Sequence, residues 1–119
     1  MNKKNLLALV ATLALGGIAG LAQGGDEPPM QRYVIEREIP GAGQMTAEQL
    51  RDAAAKSNRV LQELGPDIQW VQSYVTGDKL YCVYNARSES LIRQHAERSG
   101  FPANSILKVE AVIDPTTAQ

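Results

Sequence analysis

Two helical segments, each carrying its own start and stop signal, enclose a pair of β-rich runs, and that punctuation constrains the fold more than any other feature of the chain. Thr46 with Gln49 three residues on forms a capping box. Leu50, Ala53, Ala54, Val60, Leu61 and Leu64 then recur at helical spacing until Gly65 stops them. Ser88 caps a second, shorter helix with Leu91, Ile92, His95 and Ala96 on one face, closed by Gly100 with Pro102 beyond. Between the helices, Ile68–Thr76 and Lys79–Asn85 are rich in β-branched and aromatic residues and meet at Gly77-Asp78, a hairpin signal. A first strand is expected over Arg32–Glu38, ended by Pro40-Gly41-Ala42-Gly43, and a fourth over Ile106–Ile113, where apolar and polar residues alternate.

The resulting order β-α-β-β-α-β predicts an α+β, ferredoxin-like domain: an antiparallel four-stranded sheet with two helices on one face. Trp70, Tyr74, Val75, Val83 and Tyr84 cannot all face those helices, because successive strand residues alternate between faces. The second face is therefore expected to be apolar and uncovered, and two such sheets packed as a symmetric homodimer would cover it and enclose a channel, a dimeric α/β barrel.

Ahead of this domain, Lys3 and Lys4 precede an apolar run from Leu6 to Leu15 and the small-residue stretch Gly20-Leu21-Ala22. The pattern is that of a secretory signal peptide over residues 1–22, cleaved after Ala22. An uncleaved membrane anchor needs roughly 20 apolar residues, and Gly16, Gly17 and Gly20 interrupt this run. With no cysteine directly after it, a lipoprotein signal is not supported. The expected protein is periplasmic or secreted, with no stable membrane anchor after cleavage. Residues 23–31, with Gly24-Gly25 and Pro28-Pro29, read as a flexible tether, and residues 32–119 as the folded domain.

Without Lys3 and Lys4 the mature chain carries more acidic than basic side chains, with both signs interspersed, which gives no electrostatic footprint for nucleic acid. One cysteine, Cys82, cannot close an intramolecular disulfide, so it is a buried small hydrophobe, a ligand or an intermolecular partner. The one histidine, His95, lies on the apolar face of its helix, as a hydrogen-bonded core residue or a ligand. Glu36 sits among apolar neighbours, where burying a carboxylate without a partner costs several kcal/mol unless a channel or a cation relieves it. If Tyr33 and Ile35 face the helices, Glu36 faces the channel; Lys108 and Glu110 are expected to point the same way. Arg37 and Glu38, next to the loop, read as solvated, and Asp52 with Lys56 as an i,i+4 pair on the solvent side.

Tyr33-Val34-Ile35-Glu36-Arg37, Thr46-Ala47-Glu48-Gln49-Leu50, Tyr81-Cys82-Val83-Tyr84, Ile92-Arg93-Gln94-His95-Ala96 and Gly100-Phe101-Pro102-Ala103-Asn104 together resemble a small domain-of-unknown-function family that includes nickel-binding ferredoxin-like proteins of actinomycetes. The resemblance covers essentially the whole mature domain. It implies the same fold, a homodimer with a central channel, and binding of nickel or another divalent transition metal. His95 and Cys82 match motif positions of that family and, with Glu36, are the metal-site candidates. The nickel-binding branch is richer in histidine, and this chain has Glu36 and Phe101 where that branch places imidazoles. A carboxylate with one imidazole suits several divalent metals.

Three classes of function stay open: an exported metal-binding protein, a dimeric α/β barrel enzyme such as a cofactor-free monooxygenase or lactone isomerase with His95 or Glu36 as general base, and a binding or structural domain without chemistry. No phosphate loop, haem motif or paired-cysteine zinc motif is present, and no nucleophile triad is supported.

Overall fold

The computed structural model describes residues 27–119, so the expected signal peptide and the start of the expected tether lie outside the described residues. The elements are β1 (Gln31–Glu38), α1 (Ala47–Leu64), β2 (Ile68–Val75), β3 (Lys79–Ala86), α2 (Glu89–Ser99) and β4 (Ser105–Lys108), with short 3-10 turns at Ala42–Gln44 and Pro115–Ala118. The strands form one antiparallel sheet in the order β2-β3-β1-β4. This is the ferredoxin-like α+β arrangement.

The helix ends follow the sequence signals. Thr46 Oγ1 accepts the Gln49 N–H while the Gln49 side chain accepts the Thr46 N–H, and Ser88 accepts from Leu91. Gly100 ends α2 in the left-handed region, φ 78°, which a Cβ would strain. Tyr33, Ile35, Ile68, Cys82, Tyr84 and Ala86 come from one face of the sheet and pack with Ile92 of α2, supported by Leu61 and Leu64 of α1. Both helices thus cover the same sheet face, and among the described residues the other is left free.

Register fixes which residues share a face. Ile35 lies opposite Cys82 and Ile106, on the helix side; Glu36 lies opposite Tyr81 and Ser105, on the free side with Val34, Val83 and Leu107. In β2 a bulge between Trp70 and Gln72 resets the alternation, so Trp70 and Ser73 both face the helices and are joined by a hydrogen bond from Trp70 Nε1 to Ser73 Oγ.

The fourth strand is shorter than expected. It ends at Lys108, after which the Val109 N–H donates once more to the Arg32 carbonyl. β1 itself begins at Gln31, so in the same register Ala111, Val112 and Ile113 would stand opposite Met30, Pro29 and Pro28, ahead of the partner strand. Its facing is also reversed. Ile106 packs on the core, Leu107 is 63% exposed on the free side, and Lys108 falls opposite Tyr33 rather than on the free face. Asn104 sets this entry, its backbone N–H donating to Glu36 O and its side-chain Oδ1 accepting the Glu38 N–H.

Candidate functional site

The alternation of β1 sends its side chains to two different chemical environments. Tyr33, Ile35 and Arg37 point under the helices; Val34 and Glu36 point to the free face. Arg37, expected in solvent, is 2% exposed. Its Nη1 donates to the Pro102 carbonyl at 2.7 Å, its guanidinium lies 5.7 Å from the Phe101 ring centroid, and its Nη2 is buried without a partner among the described residues. The two-residue spacing from Tyr33 and Ile35 is the sequence signal that places it there, and proximity to the loop masks it.

His95 is fully buried. Its Nε2 is 3.0 Å from Ser57 Oγ of α1, its ring stands 5.2 Å from Tyr84, and its Nδ1 has no partner among the described residues. Burial, reinforced by the Arg37 charge, lowers its pKa to about 4, so the ring is neutral at physiological pH. Burial likewise pushes the Tyr84 hydroxyl up. Cys82 is a buried free thiol on the same side of the sheet, in the apolar core with Ile35 and Tyr84.

Glu36 is on the other side. Its carboxylate takes a 2.7 Å ion pair from Lys79, both groups partly exposed, and this contact raises the Lys79 pKa. The sheet therefore separates Glu36 from His95 and Cys82, and the three do not meet within one protomer. Among the described residues, no three or more His, Cys, Asp or Glu side chains are gathered as a metal would require. The donor set of a single protomer does not fit a closed metal site, since its one imidazole is enclosed in the core.

A model of the family described as nickel responsive protein SCO4226-like matches residues 33–109, from within β1 to just past β4. The chain belongs to this SCO4226-like family. The crystal structure of SCO4226 from Streptomyces coelicolor A3(2) has the same fold, with a TM-score of 0.57 at 22% identity, covering 69% of this chain and 99% of that one. No curated protein matches the chain. The family match spans Glu36, Arg37, Cys82 and His95, and so contains both the free face and the buried polar cluster.

Proposed function

We propose that this protein is an exported, nickel-responsive protein that binds nickel or another divalent transition metal on the sheet face shared by two protomers, with Glu36 as a donor from each. The observation that carries the reading is the position of Glu36: a carboxylate on the uncovered face, paired only with a lysine, in a chain of a nickel-responsive family. Val71, Tyr74 and Leu107 are large exposed hydrophobic residues of this sheet, and exposed apolar surface favours a second copy as cover. A two-fold axis through the face would bring two Glu36 carboxylates to one channel, supplying donors that a single chain lacks. His95 and Cys82 in this reading hold the layer beneath and do not touch the metal. Export rests on the residue 1–22 pattern.

Calorimetric titration with nickel tests the assignment. Glu36→Gln should bind at least about tenfold more weakly than wild type, the loss typical of a ligand or its orienting partner, whereas His95→Gln should bind as wild type does. Equal affinity for wild type and Glu36→Gln would remove Glu36 from the site.

A further inference from the structure

The helix side of the sheet holds a second, chemically different opening. The apolar stripe of α1 changes size along its length: Leu50, Ala53, Ala54 and Ser57 in the first half, Val60, Leu61 and Leu64 in the second. The large residues close on the core, while the small ones leave a cavity of about 620 Å³ between α1 and the sheet. Its walls include Met45, Leu50, Ala53, Trp70, Leu80 and Phe101, and Arg37 lines it from β1. The volume falls within the range of small-molecule sites, which combine apolar walls with a few placed polar groups.

Arg37 is the placed group. A guanidinium cannot shed its proton in a protein, so burial leaves it charged. A buried charge is costly unless paired, yet among the described residues no carboxylate pairs with Arg37, and only Nη1 is used. Lys56, expected to pair with Asp52, instead lies 5.7 Å from the Phe101 ring centroid, adding positive charge on the Phe101 side. The cavity thus sets Arg37, with one donor unpaired, against mostly apolar walls, with Ser57 and Ser73 as neutral polar groups and the exposed Glu38 as the one carboxylate of the lining. That combination matches a singly charged head on an apolar body; it disfavours phosphate, which carries more charge than one guanidinium offsets and has no apolar part.

We propose that the cavity between α1 and the sheet binds an amphipathic carboxylate, its carboxylate accepting from the Arg37 guanidinium and its hydrocarbon body lying along α1 over Trp70 and Leu80. The site lies across the sheet from Glu36 and does not depend on the metal reading.

Trp70 is the sole tryptophan and lines the cavity, so its fluorescence reports occupancy directly. Titration of the full mature chain with decanoate should give a saturable change, and the uncharged 1-decanol should bind at least about tenfold more weakly, as loss of a charge-assisted hydrogen bond requires. Arg37→Met should erase the preference for decanoate over decanol. Ala54→Phe, which fills the cavity from α1 and leaves Arg37 in place, should abolish binding of both. Absence of a saturable decanoate signal, equal binding of decanol and decanoate to wild type, or an unchanged preference in Arg37→Met would each overturn the proposal. The comparison on wild type decides it even where a variant fails to fold.

Discussion

Lowering the pH should destabilise this domain through one residue, His95. The imidazole has a pKa of about 4 in the folded chain against an ordinary 6.5. Between those values the unfolded chain binds the proton and the folded chain does not. Stability is therefore fully present above pH 6.5 and falls as the pH drops toward 4. Integrating the difference gives a loss of about 2 kcal/mol by roughly pH 5, and a limit of about 3 kcal/mol below both values. For a domain of this size that is a fall in Tm of roughly 10 °C. Carboxylates of the unfolded chain also begin to take up protons at the lower end of this range, and Asp114 is held below its ordinary value in the folded chain by its hydrogen bonds to Thr116. Their share cancels when wild type is compared with His95→Gln, which keeps an amide able to reach Ser57 and cannot take a charge. Urea unfolding of both proteins at about pH 7.5 and pH 5 should show wild type losing about 2 kcal/mol more than the variant, with unchanged urea dependence of the free energy. If the two lose stability in parallel, His95 is not the buried neutral ring described, and the coupling through Ser57 and Arg37 is wrong.

Three further outcomes are expected. Leu107→Glu places a charge on the β4 side of the free face and should shift the proposed dimer to monomer in sedimentation at micromolar concentration, with helix content unchanged. Lys79→Met releases Glu36 from its ion pair and should strengthen nickel binding severalfold in the same calorimetric titration; weaker binding would mean that Lys79 orients the carboxylate instead. Amino-terminal sequencing of secreted or periplasmic material should begin at Gln23, and an intact Met1 in the membrane fraction would favour an anchor.

Much of the fold was legible because local chemistry marks it: Thr46, Gln49, Ser88 and Gly100 have capping roles that depend on neighbours a few residues away. The end of β4 was not, because the reach of this strand depends on its register against β1, a distant pairing that a local alternation pattern does not contain. The facing of β4 was hidden for a related reason: Ile106 and Leu107 are both large and apolar, and only Asn104's hydrogen bonds to β1 choose between them. Of the site residues, Glu36 could be assigned a face once Tyr33 and Ile35 were placed. The same alternation carries Arg37 inward, against the general preference of arginine for solvent. Cys82 shares its face with Leu80 and Tyr84, while Tyr81 and Val83 would make an equally apolar alternative. Tertiary pairing with Ile35 settles its direction.

The central position of β1 also has a consequence for how the chain reaches this state. Both edges of β1 are paired, one by β3 and the other by β4, and the β4 contacts join Glu36 to Ser105 and Tyr33 to Lys108. A chain made from its amino terminus holds Tyr33-Val34-Ile35 with both edges open until β3 has emerged, and with one edge still open until β4 follows. Such distant pairings slow folding, because the loop must close before the contacts form. Arg32, Glu36, Arg37 and Glu38 flank that apolar triplet with charge of both signs, a composition that discourages the waiting strand from pairing with its own copies.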